Sequence, residues 1–125
     1  MRHYENLVIV KPTLTAEELE QELKAVEEVI TSNGAEITAT DAMGMRKLAY
    51  PIQKNERGYY YVIYYTGNPS AINEIERRFR INENLLRFMT VKYESKKEVT
   101  AWTKMVEKAK QAPAAKEEKA EEVAE

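Results

Sequence analysis

Seven consecutive residues, Tyr59-Tyr60-Tyr61-Val62-Ile63-Tyr64-Tyr65, are all apolar or aromatic. Such residues favour extended backbone, and along a strand successive side chains point to opposite faces. Tyr59, Tyr61, Ile63 and Tyr65 therefore face one way, and Tyr60, Val62 and Tyr64 the other. A strand apolar on both faces belongs in the middle of a sheet, with a layer over each side. The rest of the chain has to supply a sheet around this strand and at least one of those layers.

The flanking segments supply most of it. Leu7-Val-Ile-Val10 is a short β-branched run stopped by Lys11-Pro12, and reads as a buried strand. Thr15-Ala16-Glu17-Glu18 is a capping box, followed by Leu19, Leu23, Val26 and Ile30 on one helical stripe. Asn33-Gly34 ends that helix, because glycine enters the left-handed terminal turn without steric cost. Ile37 to Ile52 is a long, rather polar strand. Gly44 marks a bulge in it, and Pro51 marks an edge, since proline cannot donate to a ladder. Asn55-Glu56-Arg57-Gly58 reads as the turn into the tyrosine strand. Asn68-Pro69 caps and opens a second helix, with Ile72, Ile75 and Phe79 inward and Glu74/Arg78 and Glu76/Arg80 paired outside. Leu85 to Tyr93 is the last strand. The order β-α-β-β-α-β with right-handed crossovers predicts an α+β ferredoxin-like plait, in which the first and third strands are central and both helices lie on one face.

One face of the tyrosine strand is then left for another layer: the C-terminal segment, RNA bases or a partner protein. Residues 1–95 form the predicted domain, and 96–125 a charged extension. Val99 to Gln111 has the pattern of a short helix carrying Trp102, Met105 and Val106. From Ala112 onward the composition reads as a solvated, disordered tail.

Composition excludes most chemistry. The chain has no cysteine and a single histidine, His3. Disulfides, thiolate metal sites, cysteine nucleophiles and histidine clusters are therefore ruled out, and His3 reads as an ordinary strand residue. The glutamates of the first helix, Glu22 and Glu27 among them, read as its wet face. No phosphate loop, dinucleotide fingerprint or metal motif occurs. No catalytic residue, metal ligand, cofactor or small-molecule substrate is expected. No apolar run reaches membrane-spanning length, and the expected location is cytoplasmic.

Charge is more informative. The net value is −2, but it is unevenly spread. Residues 1–43 carry three bases against nine acids, 44–93 nine bases against four acids, and 94–125 seven bases against eight acids. The middle of the chain is thus basic by +5 while its flanks mask it. Arg46, Lys47, Lys54 and Arg57 lie on and beside the edge strand and its turn, and Arg87 and Lys92 on the last strand. Several cations on one side of a protein neutralise phosphates and release counterions. Arg57-Gly58-Tyr59-Tyr60-Tyr61-Val62-Ile63-Tyr64 also approaches the base-stacking motif of RNA-recognition-motif domains, except that Tyr60 occupies its small position. A free-standing single-stranded RNA binder of that type is the alternative reading.

Met1-Arg2-His3-Tyr4-Glu5, Gly44-Met45-Arg46-Lys47-Leu48-Ala49-Tyr50-Pro51-Ile52 and Phe79-Arg80-Ile81-Asn82-Glu83-Asn84-Leu85-Leu86-Arg87 together resemble the family of the sixth protein of the bacterial small ribosomal subunit. The similarity runs from residue 1 to about 95. The resemblance implies a ferredoxin-like plait that binds small-subunit ribosomal RNA together with the eighteenth small-subunit protein, without catalysis. Carried over by position, Arg2, Arg46, Lys47 and Arg87 are RNA-facing. Lys54, Arg57 and Lys92 join them on charge, and Tyr60, Val62 and Tyr64 are the candidate partner-facing residues. Asn6 departs from the family habit of an apolar residue at its position.

Overall fold

The first strand, β1 (Arg2–Val10), alternates Tyr4, Asn6, Val8 and Val10 on one face with His3, Glu5, Leu7 and Ile9 on the other. In the computed structural model, which describes residues 2–111, it is followed by α1 (Ala16–Ser32), β2 (Glu36–Ile52), β3 (Asn55–Gly67), α2 (Pro69–Arg80), β4 (Leu85–Tyr93) and α3 (Lys96–Gln111). The four strands form an antiparallel sheet in the order β2-β3-β1-β4. This is the α+β ferredoxin-like arrangement, with β1 and β3 central as expected.

Local chemistry starts and stops the elements. Thr15 and Glu18 form the reciprocal capping box of α1, and the Thr15 backbone and hydroxyl hold the Glu18 carboxyl below its usual range. Asn68 caps α2, with Pro69 at its first position. The outward pairing on α2 differs from expectation. Glu74 accepts from Arg77, three residues on, rather than from Arg78, because Arg77 Nε and Nη2 both reach the same carboxylate.

The first layer lies under α1 and α2, where Val26, Ile30, Ile75 and Phe79 close on Tyr4, Val8, Tyr61, Ile63 and Tyr65. Asn6 faces this layer with no exposed surface. Its amide donates to Met89 O at 3.2 Å and Thr90 Oγ1 at 2.8 Å, and its carbonyl accepts from the Tyr65 hydroxyl. A polar residue at an apolar position is thus tied to both neighbouring strands. Two glutamates expected on the wet face of α1 are also engaged. Glu22 is buried and accepts from the Asn82 and Asn84 amides, while Glu27 accepts from the Tyr61 hydroxyl at 2.6 Å.

The second layer comes from the chain itself. Helix α3 begins three residues earlier than the sequence pattern predicts, because Ser95 and Glu98 make a second capping box with both bonds at 3.1 Å. Trp102, Val106 and Ala109 pack on Ala39, Val62 and Tyr64. The Trp102 indole N–H donates to Tyr4 O at 2.9 Å, and the His3 ring meets the indole edge-on at 4.6 Å. The predicted tail from 112 lies outside the described residues.

Candidate nucleic-acid interface

β2 and β3 run on past the end of β1, which stops at Val10 opposite Tyr59. Residues 46–58 therefore form a two-stranded arm with no β1 neighbour. The turn falls at Gln53–Lys54 rather than at 55–58, with φ 49° and 67° at the two residues. Gly58 was expected to serve that turn, but it serves packing instead. A Cβ there would stand 2.4 Å from Ile9 Cγ2. Gly44 does sit at a register shift of β2, with φ 89°. Past this bulge, Leu48 and Ile52 close on Ile9 and Leu86, and Tyr60 joins this third cluster half-buried.

Arg46, Lys47, Lys54 and Arg57 are all exposed on this arm. Lys47 stands directly opposite Arg57 in the ladder, and like charges so placed destabilise a pair of strands. No carboxylate within the described residues forms an ion pair with any of the four. At the tip, Lys54 is held in left-handed backbone that costs an ordinary residue about 1–3 kcal/mol. Mutual repulsion and turn strain are both borne on this arm.

The remaining predicted cations divide. Arg87 faces the same end of the sheet, opposite Ile9. Its guanidinium donates to the Tyr50 hydroxyl and lies over that ring, 5.2 Å from the centroid. Arg2 and Lys92 are at the other end, both 3.0 Å from Glu94 Oε1. Lys92 is five residues from Arg87 along β4, roughly 16 Å at the strand rise. The structure thus places five of the seven cations at one end of the sheet, on both of its faces, and leaves Arg2 and Lys92 apart, neutralised in part by Glu94.

The three residues expected to face a partner also divide. Val62 and Tyr64 are 5% and 7% exposed beneath α3. They offer no surface while that helix is docked, and only Tyr60 stays accessible. Burial, reinforced by Glu5 and Asp41, raises the Tyr64 pKa to about 12. The base-stacking alternative needs Tyr59 and Tyr61 on the open face, yet both belong to the layer under the helices. Burial and the bond to Glu27 raise the Tyr61 hydroxyl well above its usual range. Tyr50 had no role assigned from sequence; its one signal there was an aromatic beside Pro51 on an edge strand.

No helix of the described residues is long and apolar enough to cross a membrane. The model of the family described as ribosomal protein S6 matches residues 3–92. The chain is 68% identical over 125 residues to the small ribosomal subunit protein bS6 of Sulfurimonas denitrificans, covering 98% of this chain and 91% of that protein. It is 52% identical over 119 residues to that of Helicobacter pylori strain Shi470, covering 95% and 84%. The crystal structure of 30S ribosomal protein S6 from Thermotoga maritima superposes with a TM-score of 0.73 at 28% identity, covering 85% of this chain and 97% of that one. Fold, length and sequence agree, and the chain belongs to the ribosomal protein S6 family, a family of ribosomal proteins and not of enzymes.

Proposed function

We propose that the chain is a structural constituent of the small ribosomal subunit that binds small-subunit ribosomal RNA together with the eighteenth small-subunit protein. The observation that carries the RNA half is the arm whose four cations form no ion pair among the described residues. Lys47 and Arg57 face each other across the ladder, with Arg46 and Lys54 beside them. A folded protein keeps such repulsion where a polyanion relieves it, and each phosphate contact also releases counterions. Arg46, Lys47, Lys54 and Arg57 are the primary phosphate contacts in this reading, Arg87 acts beside them, and Arg2 and Lys92 are secondary.

The partner half is supported by apolar surface that α3 and the arm leave accessible. Tyr60 is half-buried there, and Met89 is 52% exposed on the same face, opposite Leu7. Val62 and Tyr64 would contribute only if α3 moved. The free-standing RNA-recognition-motif reading loses support, because its stacking tyrosines point into the core.

A filter-binding titration of small-subunit ribosomal RNA, with and without the eighteenth protein, tests both halves. Expected are weak binding alone, tighter binding with the partner, and a steep loss with salt. Equal affinity in the two arms would overturn the cooperative version, and absence of binding in both would overturn the RNA reading.

A further inference from the structure

We propose that the Tyr50 ring is a stacking platform for an unpaired base of the RNA whose phosphates the arm holds, and that Arg87 positions this ring. The inference rests on the RNA-binding reading above and adds a specific contact to it. Of the aromatic side chains among the described residues, Tyr50 alone is exposed, at 53%. The aromatic residues of β3 are committed elsewhere. Tyr61 and Tyr65 are buried under α1 and α2, Tyr64 lies under α3, and Tyr60 packs beside Leu48 and Ile9.

The Tyr50 ring is exposed but held in place. Its hydroxyl accepts from Arg87 Nη1 while the guanidinium lies over the ring, so two contacts from β4 fix its position. A ring pinned in this way has already lost the rotamer freedom that a bound base would otherwise take from it. An arginine against an aromatic face also strengthens such a platform. Pro51 follows directly, Arg46 and Lys47 precede the ring by four and three residues of the same strand, roughly 13 Å and 10 Å at the strand rise, and Glu56 is the single acid among residues 46–58. The surroundings therefore suit a nucleotide, with a ring for the base and cations for its phosphates. Every base has a π-face, so the contact tolerates sequence.

The test uses the full chain with small-subunit ribosomal RNA, with and without the eighteenth protein. Tyr50→Phe and Tyr50→Trp keep a ring and are expected to bind within about threefold of wild type. Tyr50→Leu should weaken binding roughly tenfold or more, in both arms, with the log–log salt slope unchanged because no phosphate contact is lost. Arg87→Met should weaken binding, and Arg87→Lys should not restore it, since lysine lacks the planar fork. Melting curves should show all variants folded. Ultraviolet crosslinking should place a nucleotide adduct on Tyr50.

Leucine binding as well as tyrosine would overturn the proposal. So would phenylalanine failing as badly as leucine, which would make the hydroxyl clip and not the ring decisive. A loss seen only when the eighteenth protein is present would assign the ring to a protein contact instead. A wild-type chain that binds no RNA would fail at the earlier step and remove the proposal with it.

Discussion

Asn6 and the buried tyrosines show how single polar atoms are accommodated in this sheet. Asn6 has no exposed surface, and its three partners come from β3 and β4. Asn6→Leu removes its side of all three bonds and leaves the Tyr65 hydroxyl without its acceptor. It should cost about 1–3 kcal/mol in urea denaturation. Adding Tyr65→Phe should recover part of that loss, because the orphaned hydroxyl goes with it. Tyrosine ionisation gives a second test. Tyr64 is raised from 10.0 to about 12, first by burial and then by Glu5 and Asp41, and Tyr61, Tyr65 and Tyr93 are raised as well. The folded chain thus holds these protons more tightly than the unfolded chain. Stability from this source is complete below pH 10 and falls as pH rises from about 10 towards 12. Denaturation midpoints flat to pH 10 and declining above it, in step with tyrosinate absorbance, would bear this out.

At the scale of elements, α3 changes what the sheet can present. Its Trp102 is 5% exposed, bonded to Tyr4 O and packed over Val62 and Tyr64. Trp102→Ala removes the largest side chain of that layer and should cost about 3–5 kcal/mol, read by denaturation. Amide exchange at Val62 and Tyr64 should rise with it. The start of the helix was written in the sequence, as Ser95-Lys-Lys-Glu98 has the same spacing as Thr15-Ala-Glu-Glu18. Its docking site was not. Trp102 and Val106 announce an apolar stripe, but nothing local says that it meets Ala39 and Tyr64. The turn failed for the opposite reason. Asn55 and Gly58 carry turn chemistry, yet the close approach of Ile9 claims Gly58 and moves the reversal to Gln53–Lys54.

For the whole molecule, charge is sorted by place rather than by sum. The net charge is −2, but the arm carries four cations that form no ion pair among the described residues, while Arg2 and Lys92 share Glu94 at the far end. Four phosphate contacts would give a log–log salt slope of about −3 to −4. Arg46→Ala or Lys47→Ala should flatten that slope by nearly one each. Arg2→Ala and Lys92→Ala should change it less, and equal effects at both ends would show that the arm is not the main electrostatic contact. Sequence alone determined the elements, their order and the two-faced tyrosine strand, because periodicity, caps and near-neighbour chemistry act over a few residues. Tertiary structure decided which cations gather, which tyrosines are hidden and which ring is left out. Those outcomes depend on where β1 ends, how the arm closes on Ile9 and Leu86, and where α3 docks. Each joins residues tens of positions apart, at distances that no local pattern encodes.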